Sequence, residues 1–96
     1  MTITSNKIEG NLTVTLEGRL DTTTAPELEK FLGDNLLGVS TLTLDCEKLV
    51  YVSSAGLRVI LSAQKRMRGA MKLVKVCELV MEVFEMTGFA DILDIE

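Results

Sequence analysis

The sequence predicts an α/β fold, a single domain over residues 1–96 with a mixed sheet of four to five strands, an initial hairpin and helices packed on the sheet. Three observations predict it: an apolar–polar alternation near the start, later apolar segments with strand character, and three segments whose apolar residues lie three or four positions apart. Strands alternating with helices imply parallel pairing through right-handed crossovers. A chain of 96 residues builds one core.

The first two strands are predicted to form a hairpin. Segments 3–8 and 12–20 flank the turn Glu9-Gly10-Asn11, and in the second segment leucine and valine alternate with threonine. This alternation is typical of a strand with one buried face. The hairpin therefore begins the sheet.

A helix is predicted to follow from a capping box. Thr24 is the expected N-cap, Pro26 lies near the first helical position, and Glu27 is placed to reach back to the cap. Gly38 offers a stop. The apolar face of this helix comprises Leu28, Phe31, Leu32 and Leu36.

The remaining elements complete the order β-β-α-β-α-β-α-β. They are a strand over 41–52, a helix from the following serines to near Gly69, a strand over 71–76, a helix over 78–86 and a short final strand over 92–95. The later methionines are expected to fill the core: Met67, Met71, Met81 and Met86.

Composition limits the possible functions. A net charge of −4 and a pI near 4.8 argue against a nucleic-acid partner, because a phosphate backbone requires a basic surface. Charged residues interrupt every apolar stretch, so no membrane insertion is expected, and the start lacks a secretory signal, which makes the cytoplasm the default location. Cys46 and Cys77 have no CxxC or histidine companions, and we interpret them as reduced core residues without a metal role.

The most informative feature is a serine pair, Ser53 and Ser54, between a strand and a helix. One serine can cap the helix by accepting a hydrogen bond from a first-turn amide. The other would project where the helix dipole favours a phosphate. Which serine takes which role stays open from the residues alone.

Two other classes of function fit the sequence poorly. A serine between strand and helix is typical of the nucleophile elbow of hydrolases, but Val52 replaces the glycine expected two positions before Ser54, and the chain has no histidine to act as base. Walker A and GxGxxG sequences are absent. We therefore expect neither an enzyme nor a bound cofactor.

Three segments together resemble the STAS family of bacterial anti-sigma factor antagonists: residues 17–28, the serine run and residues 84–89. The resemblance covers essentially the whole chain. In that family the run usually reads Asp-Ser-Ser-Gly-Leu or Asp-Ser-Thr-Gly-Leu, and the serine after the aspartate is phosphorylated. Alignment on Gly56 places the phosphorylated serine at Ser54, with Ser53 the alternative. Here Ser53 replaces the aspartate and Ala55 the second hydroxyl residue.

The resemblance implies a partner-switching protein. The unphosphorylated form would bind an anti-sigma factor that is also a serine kinase and so free a sigma factor; phosphorylation would end the interaction, and a phosphatase of the PP2C type would reset it. The docking surface would be the rim, defined as residues 21–24 and 51–58. Its expected partner-binding residues are Asp21, Thr22, Thr23, Ser53, Ser54, Gly56 and Arg58.

Some alternatives remain open at this stage. Asp21 is either an interface residue or simply a loop residue or minor cap, and Arg58 either orients the partner or faces solvent. Apolar surface left exposed would favour a weak homodimer or docking. A function of another class is a non-switching STAS subunit, either a scaffold in a signalling assembly or an accessory to a lipid transporter; the missing aspartate and Ala55 favour it.

Overall fold

Four strands form one mixed sheet in the order β1-β2-β3-β4 in a computed structural model that describes residues 1–96. The hairpin strands β1 and β2 pair antiparallel, whereas β2–β3 and β3–β4 pair parallel. This confirms the predicted α/β class. The elements are β1 (Thr2–Ile8), β2 (Asn11–Leu20), α1 (Ala25–Asn35), β3 (Thr41–Val52), α2 (Ser54–Arg66), β4 (Met71–Val74) and α3 (Glu78–Thr87).

The buried side chains of the sheet lie on one face. Leu12 of β2 is in register with Leu42 of β3, Val14 is in register with Leu44, and all four are buried, while the threonines between them are more exposed. The apolar faces of the helices complete one core of 23 residues, with Phe84 of α3 fully buried. Removal of this apolar surface from water supplies the main favourable contribution to folding.

The predicted final strand over 92–95 is wrong. After α3 the chain forms a short 3-10 turn, Phe89–Asp91, and the amides of Ile92 and Leu93 both donate to the Phe89 carbonyl. Only an isolated bridge to Leu73 remains further on. These bonds occupy the amides of Ile92 and Leu93, which a longer strand would need for pairing with β4.

Other element ends differ from expectation by a few residues. β4 ends at Val74 because Lys75 has a φ of +58°, which a strand cannot continue, and α2 ends at Arg66, before Arg68 and Gly69 turn with positive φ. Met86 is wrong as a core residue, since 87% of it is exposed. None of the helices combines the length and apolar character that crossing a membrane would require.

Both cysteines are unpaired. Cys46 is fully buried, and burial raises the pKa of its thiol to about 12, so the thiol stays protonated at neutral pH. Cys77 is half-buried, and its thiol donates to the Leu49 carbonyl at 3.5 Å. The structure thus places Cys46 in the core and Cys77 at its border.

Candidate functional site

The two loops of the rim meet at one edge of the sheet. β2 and β3 run parallel, and their last residues, Leu20 and Val52, are partners in the ladder. The amide of Ser53 donates to the carbonyl of Leu20 at 2.9 Å, which joins the start of one loop to the start of the other. The carboxyl ends of neighbouring parallel strands are where α/β sheets carry functional loops.

Ser53 is the cap of α2. Its backbone is extended, with φ −93° and ψ 175°, and its hydroxyl oxygen accepts a hydrogen bond from the Gly56 amide at 3.3 Å. Its carbonyl accepts from the Leu57 amide at 2.9 Å. Of the two serines, Ser53 is therefore the one that caps the helix.

Ser54 is the first residue of α2 and is exposed. Its hydroxyl forms no hydrogen bond within the chain, and the backbone amides of Ser54 and Ala55 have no partner either. Amides without an intrahelical acceptor are normal in a first helical turn. Ser54 thus offers a free hydroxyl next to unsatisfied donors.

The Asp21 carboxylate organises the other loop of the rim. Its Oδ1 atom accepts from the Thr23 amide at 3.0 Å, the Thr23 hydroxyl at 2.8 Å and the Thr24 amide at 3.1 Å. Hydrogen bonds to a charged carboxylate favour the ionised form, and with the Thr23 hydroxyl as the largest cause they lower the pKa of Asp21 from 3.8 to about 2. Asp21 thus holds the backbone of its own loop, ahead of the N-cap residue Thr24.

The expected capping box at Thr24 is wrong. Thr24 is the N-cap of α1, but its backbone is helical and its hydroxyl makes no bond to the first turn. That hydroxyl donates instead to the Arg19 carbonyl at 2.7 Å and accepts from the Asp21 amide at 2.8 Å. Asp21, three residues earlier, takes the role of acceptor for the loop amides.

Arg19 links the two loops, although it was not among the predicted site residues. Its guanidinium lies 4.1 Å from the centre of the Tyr51 ring, and its Nε atom is 3.7 Å from Asp21 Oδ2. A cation over an aromatic face is attracted by the ring quadrupole. Irregularities in the β2–β3 register, one of them directly before Arg19, bring Arg19 opposite Tyr51. Strict alternation in the sequence could not reveal this pairing.

Gly56 is buried and has a packing role. A Cβ atom at this position would lie 2.6 Å from Leu20 Cγ and 2.9 Å from the Leu20 carbonyl oxygen. Only glycine lets the start of α2 come this close to the end of β2. The close contact between Gly56 and Leu20 therefore positions the serine loop against the end of β2. Ser54 and Arg58 lie on the exposed side of the same helix.

A shallow groove of about 250 Å³ runs between α1 and α2 beside the rim. Arg58 is exposed along it, and so are Thr22 and Glu29. Its lining is mixed polar and apolar, which suits a protein surface as partner. The remaining lining residues are Ala25, Pro26, Ala55, Val59 and Ser62.

Two larger surface cavities lie away from the rim. One of about 490 Å³ is at the opposite edge of the sheet, where β2, β3 and β4 begin, and one of about 520 Å³ is between the loop after α1 and the end of α2. No group of three or more acidic or cysteine side chains is placed to hold a metal ion. Of the predicted site residues, Thr22 and Arg58 line the groove of about 250 Å³, and none lines either of the two larger cavities.

These features define a small α/β module whose exposed serine stands beside a rigid loop at one edge of the sheet. The STAS domain family model matches residues 2–96, and the chain belongs to that family. It is 40% identical over 96 residues to BtrV of Bordetella bronchiseptica, a protein that carries the name of an anti-sigma factor antagonist; the match spans 96% of this chain and 83% of BtrV.

Solved structures share the fold. The anti-sigma factor antagonist SpoIIAA in its unphosphorylated form matches with a TM-score of 0.83 at 16% identity, covering 99% of this chain and 88% of SpoIIAA. The Bacillus cell fate determinant SpoIIAA in its phosphorylated form matches with a TM-score of 0.75 at 15% identity, covering 99% and 91%. At these identities the likeness concerns the fold alone.

Proposed function

We propose that this protein is an anti-sigma factor antagonist whose unphosphorylated form binds an anti-sigma factor through the rim, and that phosphorylation of Ser54 ends the binding. The observation that carries the proposal is the difference between the two serines: Ser53 holds the cap, whereas the Ser54 hydroxyl is exposed and unbonded. The name of the BtrV relative and the existence of a phosphorylated SpoIIAA structure support it.

The partner would be both anti-sigma factor and serine kinase. In the transfer, Ser54 Oγ forms a bond to the γ-phosphorus of ATP while the bond from that phosphorus to ADP breaks, and the hydroxyl proton passes to a base of the kinase. A phosphatase of the PP2C type would hydrolyse the phosphoserine and restore the binding form. The antagonist itself contributes only the hydroxyl and the docking surface.

Phosphorylation would act on the docking surface rather than on the fold. A phosphoryl group adds about −1.5 to −2 charges at neutral pH. Ser54 occupies the first position of α2, where a negative charge is favourable to the helix, so the helix should persist. What changes is the charge and shape that the rim presents to its partner.

Two variants of Ser54 test the proposal against a purified anti-sigma factor from the same organism. Ser54→Ala should retain binding, and Ser54→Asp should weaken it strongly, as measured by titration calorimetry. Ser5→Asp, which adds the same charge at an exposed position of β1, is the matched control and should bind like the wild type. Equal binding by the two Ser54 variants would contradict the switch.

A second function is favoured by one observation. Ser53, where the family usually has an aspartate, is neutral and serves as a cap, so the rim lacks a carboxylate beside Ser54. A non-switching STAS subunit, as a scaffold or as an accessory to a lipid transporter, would need no such group. Binding that is indifferent to both Ser54 substitutions would favour this function.

A further inference from the structure

Arg58 lies one helical turn after Ser54. Residues four positions apart in a helix are neighbours on its surface, with their Cβ atoms about 5–6 Å apart. Both residues belong to α2, and both are exposed. A group attached to Ser54 Oγ is therefore within the range of the long arginine side chain.

The Arg58 guanidinium is free, unlike that of the other arginine near the rim. Arg19 is stacked on Tyr51 and lies close to the Asp21 carboxylate, whereas Arg58 forms neither an ion pair nor a hydrogen bond. Arg58 can change its position without breaking an ion pair or a hydrogen bond. It is the cation available to a new anion on Ser54.

The charges around Ser54 favour this pairing. Ser53 is neutral, so no carboxylate next to the phosphoserine competes for the guanidinium. Across the groove, Glu29 of α1 lines the same surface as Arg58 but is not within ion-pair distance of it. Asp21 directs its carboxylate to its own loop and to Arg19.

We propose that Arg58 is the internal partner of the phosphoryl group on Ser54, forming a charge-assisted ion pair along one turn of α2. This inference rests on the proposed function, because it assumes a phosphate at Ser54. The planar guanidinium can bond two phosphate oxygens at once. Phosphorylation then changes the rim twice: it adds an anion, and it withdraws a free cation from the groove between α1 and α2.

The test follows the phosphate itself by ³¹P NMR. Protein carrying phosphoserine at position 54, incorporated genetically so that no kinase is needed, is titrated through the second ionisation of the phosphate. A neighbouring cation favours the dianion, so the midpoint should lie about 0.3 pH units lower in the wild type than in Arg58→Gln. High salt should reduce this difference.

Two further variants separate the pairing from a general charge effect. Arg58→Lys keeps a cation but not the planar fork, and its midpoint should fall between those of the wild type and Arg58→Gln. Arg68→Gln removes a cation beyond the far end of α2 and should leave the midpoint unchanged. Thermal unfolding of each protein confirms that the exposed substitutions preserve the fold.

The outcomes distinguish this inference from the proposed function. Identical midpoints in the wild type and Arg58→Gln overturn the pairing, whatever the binding data show. Undiminished binding of the phosphorylated wild type to the anti-sigma factor overturns the switch, and the midpoints still report whether the ion pair forms.

Discussion

The two loops of the rim occupy equivalent places in the fold but differ in their chemistry. Each connects a parallel strand to a helix at the same edge of the sheet. In the loop after β2, the Asp21 carboxylate accepts four hydrogen bonds from Thr23 and Thr24 and lies close to Arg19. In the loop after β3, Ser53 makes the only side-chain bond, and Ser54 makes none.

The Asp21 loop is therefore held by its own side-chain hydrogen bonds, whereas the serine loop exposes a hydroxyl that has no partner. Hydrogen bonds within the Asp21 loop hold its backbone beside the serines, so we expect a modification of Ser54 to leave that loop in place. The free hydroxyl costs the fold nothing, because the cap is supplied by its neighbour. Under the proposed switch, the rim would therefore change its charge without unfolding.

The largest expected effect comes from the packing that joins the loops. Gly56→Ala should lower the free energy of unfolding by about 2 to 3 kcal/mol, because the new methyl group would overlap Leu20. Gly33→Ala in α1 is the matched control: no atom lies within 4 Å of its Cβ position, and it should raise stability by about 0.5 to 1 kcal/mol. Denaturant unfolding measures both. Equal effects would show that the contact with Leu20 is unimportant.

The neighbouring serines should differ in their contribution to stability. Ser53→Ala removes the cap bond to Gly56 and should cost about 1 kcal/mol of unfolding free energy. Ser54→Ala removes a hydroxyl without a partner and should stay within about 0.5 kcal/mol of the wild type. The reverse order in denaturant unfolding would mean that Ser54 is the structural serine.

The Asp21 loop should show a pH dependence that the serine loop lacks. The pKa of Asp21 is lowered from 3.8 to about 2 in the folded protein, so its stabilisation is complete well above pH 3.8 and is lost as the pH falls towards about 2. The wild type should therefore exceed Asp21→Ala in Tm at neutral pH, and this advantage should shrink on acidification.

The control for that titration is Asp91→Ala, since the exposed Asp91 carboxylate has no hydrogen-bond or ion-pair partner. Its Tm should stay close to that of the wild type at neutral pH, because an exposed side chain without a partner contributes little to stability. An Asp21→Ala difference that does not change with pH would contradict the charge-assisted role of the carboxylate.

Much of the sheet could be predicted from the sequence, because alternation in segment 12–20 directly records which side chains are buried. The resemblance to the STAS family implied that Asp21 and Ser54 share one edge of the sheet, and the parallel pairing of β2 with β3 agrees with it. The short final strand could not be excluded, because Ile92 and Ile95 have strand character and only the hydrogen bonds of the preceding 3-10 turn show why pairing stops at one bridge.

The sequence does not show which of several possible hydrogen bonds each side chain of the site forms. Thr24 could have capped α1 with its hydroxyl, but that hydroxyl is bonded to the Arg19 carbonyl and the Asp21 amide instead. Either Ser53 or Ser54 could have capped α2. The contact between Arg19 and Tyr51 depends on irregular strand register, which the residue pattern does not reveal.

We propose that Ser54, and not Ser53, is the residue that is phosphorylated. The most direct measurement is phosphosite mapping by mass spectrometry after incubation of the purified protein with ATP and a kinase-active extract of its source cells, in parallel with Ser53→Ala and Ser54→Ala. We expect phosphate on Ser54 in the wild type and in Ser53→Ala, and none in Ser54→Ala. Phosphate on Ser53, or no phosphate from an extract that modifies another substrate, would contradict this proposal.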